Sequence, residues 1–180
     1  FGLNMVVSKG KTIFVGDTSV NEYPSSEELA EIAISAARVV KMFGFVPKVA
    51  FVSHSTFGQP LTSRTKHIKK AVDILKGKDV GFDFDGDMQP DVALNEEYKK
   101  LYPFSSIVGN ANILIMPGQH SAAISYKMMK SLGDTKVIGP LLIGLGQPIE
   151  IAPLRSSTSE IINLASVAAY SADVIDYKKG

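Results

Sequence analysis

Apolar and polar positions along this chain alternate between two periods, one near 2 and one near 3.6 residues. Thr12 to Val15 is a short β-branched and aromatic run that stops at Gly16 and Asp17. From Ser25 the spacing becomes helical, with Leu29, Ile32, Ala33, Ala36, Val40 and Phe43 on one face. Ser25 and Glu28 have the spacing of a capping box, and Gly44 marks the stop. Val49 to Val52 reads as a buried strand, Thr65 to Leu75 as a helix, and Val80 to Phe84 as a strand ended by Asp85 and Gly86. The second half repeats the alternation: a strand at Ile113 to Met116, a helix at Ala122 to Leu132, a glycine-broken apolar strand at Val137 to Leu145, and an apolar helix at Ser159 to Ser171. Strands alternating with helices of this length predict an α/β fold, a mainly parallel sheet with helices on both faces.

Composition narrows the function classes. The 180 residues are 45% hydrophobic, too apolar for a disordered chain, and suit one compact domain over 1–180. Nineteen basic against eighteen acidic side chains give a net charge of +1, so no basic field points to nucleic acid. The absence of Cys removes disulfides, thiol catalysis and thiolate metal sites. No apolar run reaches the roughly 18–20 residues that cross a bilayer. The chain starts at Phe1, its first Met is Met5, and no signal peptide precedes the first strand. It therefore reads as a piece of a longer polypeptide, expected in the cytoplasm.

Ligands of open α/β sheets bind beyond the carboxyl ends of the strands. Four polar, glycine-rich stretches fall there: Ser53–Gly58, Asp85–Gln89, Pro117–Ser121 and Gly144–Pro148. Hydroxyls and free amides suit an anionic or amide-rich ligand, although turns use the same residues. His54 between Ser53 and Ser55 has the composition of a base beside a nucleophile, but no third group is identifiable. Asp83, Asp85 and Asp87 alternate along an extended segment, yet lack the loop and closing Glu of a calcium site, so turn and cap roles for Asp87 and Asp91 are expected instead. No metal site is assigned. His67 sits among Arg64, Lys66, Lys69 and Lys70 on what reads as a solvated helix face. Tyr126, Met128 and Met129 read as core positions. Gly144-x-Gly146 lacks the spacing of a dinucleotide loop.

Taken together, the order of these stretches resembles the phosphate acetyl/butyryltransferase family from about Phe14 to Ala172. The residues that carry the resemblance are Asp17-Thr18-Ser19-Val20-Asn21, Glu28 to Ala33, Pro47 to Ala50, Ser53-His54-Ser55, Phe57-Gly58, Asp85-Gly86-Asp87-Met88, Gly109 to Asn112 and Ile138-Gly139-Pro140. The Asp17 stretch and His54 are most similar to the version found at the C-terminus of bacterial NADP-dependent malic enzymes. The resemblance implies a phosphotransacetylase-like domain with an isocitrate/isopropylmalate dehydrogenase-like architecture. It implies that acetyl-CoA or CoA is an effector, and that NADP and a divalent metal belong only to upstream malic-enzyme domains of the same chain. It also implies a homo-oligomer, with neither nucleic acid nor membrane as partner.

The departures from the family carry the functional argument. Active transferases use a Ser-Arg pair where this chain has Pro153 and Leu154; Arg155 comes one residue later. A family carboxylate falls at Glu160, and the Asp and Asn of another family stretch are Gly118 and Ala123. Acyl transfer needs donors for a tetrahedral oxyanion and a base for the thiol, and Pro153 and Leu154 offer no side-chain polar atom. The expectation is a chain with no catalytic residues, binding a coenzyme A thioester through Ser53, Ser55, Gly144, Gly146, Gln147 and Arg155. An active acyl-CoA:phosphate acyltransferase and a purely structural domain are the alternatives.

Overall fold

A computed structural model describes residues 1–174. Its elements run β1 (Gly2–Ser8), β2 (Lys11–Gly16), α1 (Ser26–Met42), β3 (Lys48–Val52), α2 (Ser63–Lys76), β4 (Asp83–Met88), α3 (Pro90–Leu94), α4 (Glu96–Lys99), β5 (Ile113–Ile115), α5 (Gln119–Leu132), β6 (Thr135–Leu142) and α6 (Thr158–Val174). The six strands form one sheet in the order β4-β3-β5-β2-β1-β6. β2, β3, β4 and β5 pair in parallel, while β1 runs antiparallel to both β2 and β6. The mainly parallel α/β sheet predicted from periodicity is therefore present, with one reversed strand.

Each face of the sheet buries its own core. Phe14, Phe51, Ile113 and Ile115 pack against α1, α2 and Leu164 of α6. Val15, Ala50, Val52 and Leu114 pack against α3 and Ala122 of α5. β2, β3 and β5 thus alternate their side chains between two apolar layers, which is why their sequences read as continuous hydrophobic runs.

α1 follows its sequence signals closely. Ser25 and Glu28 form a reciprocal capping box. Leu29, Ile32, Ala33, Ala36 and Val40 are buried, and Phe43 is half-buried against them. Gly44, at φ +82°, ends the helix in a Schellman arrangement: its N–H donates to Lys41 O and the Phe45 N–H donates to Val40 O. α2 begins earlier than its apolar pattern suggests, because Thr62 and Thr65 cap each other. His67 does more than face solvent. Its Nε2 donates to Pro24 O at 2.9 Å and its Nδ1 lies 3.1 Å from Ser26 Oγ, tying α2 to the start of α1.

The structure departs from the sequence reading in β4, β6, β1 and at Met128. β4 spans Asp83–Met88 rather than Val80–Phe84, because its aspartates find protein donors that let a polar segment pair at the sheet edge. β6 starts two residues earlier and stops at Leu142. β1 has only modest strand propensity, and its pairing with two neighbours supplies what propensity does not. Met128 of α5 is exposed, whereas Tyr126 and Met129 are partly buried. No helix of the described residues is long and apolar enough to cross a membrane.

Candidate functional site

The connections leaving β2 and β3 run over one face of the sheet through α1 and α2, and the connection leaving β5 runs over the other through α5. β5 lies between β3 and β2. Neighbouring strands whose exits diverge to opposite faces create a crevice at their carboxyl ends. The exits of β2, β3 and β5 all open there, and each carries polar residues.

Asp17 organises the β2 exit. It is buried, and its Oδ1 accepts from the N–H groups of Gly2 (2.7 Å), Ser19 (2.9 Å) and Val20 (3.2 Å). Its Oδ2 accepts from the Asn21 N–H and from Asn21 Nδ2, both at 2.7 Å. This carboxylate folds the loop around itself, the behaviour that favours Asp in turns. Thr18 Oγ1 donates to Asn4 Oδ1 at 2.7 Å, while Asn4 Nδ2 is buried without a partner among the described residues. The Asp-to-Asn spacing of four was the sequence signal for this hub.

The β3 and β4 exits form a second unit. Ser53 N donates to Met88 O at 2.9 Å, and Phe57 N to Asp87 O at 2.6 Å. Buried Asp87 accepts a short hydrogen bond from Ser55 Oγ, and its Oδ1 accepts from Gly58 N at 3.0 Å. Gln89 Nε2 donates to His54 O at 2.8 Å. Asp87 therefore holds a turn. Asp91 sits in the first turn of α3 and accepts from Val92 N. Asp85 accepts from Gly86 N and Ser106 N. The placement of Asp85, Gly86 and Asp87 inside β4 corrects their assignment to the loop beyond it.

Ser53 and Ser55 come together, with hydroxyls 3.3 Å apart. His54 is exposed, and its Nδ1 lies 3.4 Å from Ser53 Oγ. The nearby carboxylate binds Ser55 rather than His54, so no acid stands behind the imidazole among the described residues. A Ser-His-Asp relay is not assembled.

The β5 exit meets the loop before α1. Gln119 N donates to Asn21 O at 3.3 Å, His120 Nε2 lies 3.3 Å from Glu22 Oε1, and the Tyr23 ring stacks on His120. Gly118 opens α5 without a side-chain cap. A Cβ there would lie 2.6 Å from the Glu22 carbonyl oxygen. The backbone of the β2 exit thus occupies the space that a side chain at position 118 would need.

The remaining candidates lie elsewhere. Gly144 and Gly146 line a cavity of about 840 Å³ between α1, the end of β6 and α6. Gln147 and Arg155 are exposed. Pro153 and Glu160 line a smaller cavity of about 160 Å³ beside Tyr126 and Lys130, and Leu154 projects fully into solvent. Glu160 accepts from Lys130 Nζ at 2.5 Å and from Ser157 N at 2.8 Å. The Lys130 contact, helped by Ser157, holds its carboxyl down at about 2. An anion so stabilised is a poor proton acceptor. The structure thus gathers Ser53 and Ser55, separates them from the glycine stretch, and gives Glu160 a helix-capping role.

Comparison with known proteins places these features in a family. Residues 2–169 match the family model described as phosphate acetyl/butaryl transferase. The chain is 46% identical to an NADP-dependent malic enzyme of Rhizobium meliloti over 95% of its own length and 22% of that protein. It is 34% identical to a phosphate acetyltransferase of Bacillus subtilis over 93% of its length and 52% of that protein. The chain thus spans about a quarter of the malic enzymes and half of the transferase. Its fold superposes on a phosphotransacetylase from Streptococcus pyogenes with a TM-score of 0.88 at 31% identity, covering 96% of this chain and 53% of that one. The EutD phosphotransacetylase from Staphylococcus aureus gives the same score at 29% identity, over 95% and 53%. This chain belongs to the phosphate acetyl/butaryl transferase family.

Proposed function

We propose that this chain is the C-terminal regulatory and oligomerising domain of a malic enzyme, and that it binds acetyl-CoA without performing acyl transfer. The parent polypeptide would oxidatively decarboxylate malate to pyruvate, with NADP and a divalent metal held by its upstream domains. The observation that carries the reading is the state of Glu160. Glu160, which the family resemblance sets against a carboxylate of the transferases, is bound to Lys130 and caps α6, while the positions the resemblance sets against the Ser-Arg pair are Pro153 and an outward-facing Leu154. Loss of positioned donors and base costs several kcal/mol of transition-state stabilisation.

The surface supports a role in a larger assembly. α6 is strongly apolar, yet only Leu164 and Ser171 are buried along it; Ile161, Ile162, Tyr170 and Val174 are exposed. α5 exposes Ile124, Met128 and Leu132. Apolar helix faces of this extent call for protein cover. Upstream chain and a second copy are the two sources of it. An assembly with two arrangements is what a bound effector needs in order to reach a remote active site.

Calorimetric titration with acetyl-CoA, with free CoA as comparison, tests the proposal. Saturable binding without turnover of acetyl phosphate is expected. Arg155→Ala should weaken it by about 1–3 kcal/mol, as for a lost charge-assisted hydrogen bond. Thiolysis of acetyl phosphate by CoA would instead show an active transferase. Absence of binding in both the 180-residue chain and the longer polypeptide would leave a structural domain.

A further inference from the structure

The cavity between α1, the end of β6 and α6 has features that the coenzyme reading does not use. Its volume of about 840 Å³ lies in the range of small-molecule sites. Val39, Phe43, Leu141 and Val167 give it apolar walls. Two ionisable groups of α1 line it, Arg38 and Lys41, and beyond β6 Glu150 lines it; α6 presents no ionisable side chain to it among the described residues. Lys41 Nζ donates to Gly81 O at 3.1 Å. Arg38 is exposed and makes no hydrogen bond or ion pair among the described residues, so its guanidinium is the cation available at the mouth.

Glu150 stands on the inner side. Its backbone bridges to Leu141, and its Oε2 is buried without a hydrogen-bond partner among the described residues. Burial pushes this carboxyl up to about 7. Near neutrality the cavity therefore combines an apolar interior, a carboxyl readily held neutral, and one cation at the rim.

We propose that this cavity binds an amphipathic monocarboxylate, with its anionic head on Arg38 and its apolar chain along Val39, Phe43, Leu141 and Val167, covering Glu150. A guanidinium matches a carboxylate in charge and fork geometry. Covering Glu150 with hydrocarbon removes its remaining water, which favours its neutral form. Binding is therefore coupled to proton uptake at Glu150, and affinity falls as this group ionises. The site is separate from the Ser53–Ser55 exit; it shares Gly144 and Gly146 with the residues expected to meet a coenzyme A thioester, but the proposal does not require that coenzyme binding occur.

Octanoate is the probe, titrated calorimetrically into the purified protein at pH 6 and pH 8. Saturable binding at pH 6 is expected, about tenfold weaker at pH 8, the ratio of neutral Glu150 at the two values. Arg38→Ala, an exposed change that leaves the fold intact, should raise Kd about tenfold or more. Glu150→Gln should keep the pH 6 affinity and lose the pH dependence. Should that variant fail to fold, titration of the wild type at pH 7.5 in buffers of different ionisation enthalpy reads the proton uptake directly. Absence of saturable octanoate binding at pH 6, equal binding of octylammonium, or zero proton uptake would each overturn the proposal.

Discussion

Lys130 Nζ lies 2.5 Å from Glu160 Oε1, and this contact joins α5 to α6. Glu160 also accepts from Ser157 N and Ser157 Oγ, and the Glu160 N–H donates back to Ser157 Oγ at 3.3 Å, closing a capping box. One carboxylate thus holds the start of α6 and its link to α5. The folded carboxyl titrates near 2, below its ordinary 4.5. Its stabilising effect is present above about pH 4.5 and is lost as pH falls towards 2. The protection of the first-turn amides of α6 against hydrogen exchange, taken relative to the intrinsic rate at each pH, should fall across that window. Glu160→Gln should remove the acid dependence, and added salt should reduce the difference between the two proteins.

Glu150 gives the opposite pH signature. Its folded carboxyl titrates near 7 because it is partly desolvated. Between about pH 4.5 and 7 the folded state holds a proton that the unfolded state has released. Stability from this group is therefore full below pH 4.5 and is lost as pH rises to 7, after which it levels. The group is only half-buried, so solvent screening reduces the effect to on the order of 1–2 kcal/mol. Glu150→Gln should flatten the decline and leave the protein more stable at pH 8, which urea unfolding at pH 5 and pH 8 would measure. Equal slopes for wild type and variant would remove the assignment.

Lys99 is a buried cation without a partner. Only 7% of the residue is exposed, and its Nζ makes no hydrogen bond among the described residues. Burial lowers its ammonium from the ordinary 10.5, and nearby Lys48 adds to the effect; Glu96, Asp83 and Asp85 oppose it. Because the unfolded state binds the proton more tightly, stability contributed at this position rises with pH up to about 10.5. Replacing the ammonium with a group of similar shape should stabilise the fold. Lys99→Met is expected to gain about 1–3 kcal/mol at pH 7 and to reduce the rise between pH 7 and pH 10. Thermal melts at both values would show it.

How much of this was legible beforehand depended on where side chains find partners. α1 was readable because its apolar face, Ser25–Glu28 cap and Gly44 stop agree with one another. The strands β2, β3 and β5 were readable because both of their faces are buried. β4 was displaced by three residues at its start because Asp85 and Asp87 look like loop residues until Ser106 N, Ser55 Oγ and Gly58 N are seen to satisfy them. β1 was missed because its stability comes from two distant partners, β2 and β6. At the site, the residue types at the strand exits were visible, but their grouping was not. Ser55 to Asp87 spans 32 residues and His120 to Glu22 spans 98. The helix-capping role of Glu160 was implicit in Ser157 three residues earlier.

Gly118 sets two effects of known size against each other. The family resemblance implies an Asp where this chain has Gly118, immediately before α5, a position at which a carboxylate caps the helix and is favoured by its dipole. That gain is about 0.5–2 kcal/mol. Here, however, a Cβ at 118 would lie 2.6 Å from Glu22 O and 3.7 Å from Pro24 Cδ, so the loop before α1 must move. That loop is held by Asp17 through Asn21 and by the Gln119–Asn21 hydrogen bond, so it yields poorly. Overpacking of this kind costs about 1–3 kcal/mol. The clash is expected to win: Gly118→Asp should be less stable than wild type in urea unfolding. Gly118→Ala keeps the clash and lacks the cap, so it should be less stable again, by about 1 kcal/mol. If Gly118→Asp proved more stable than wild type, the Glu22 backbone would be movable, and the departure from the family at this position would have no steric cause.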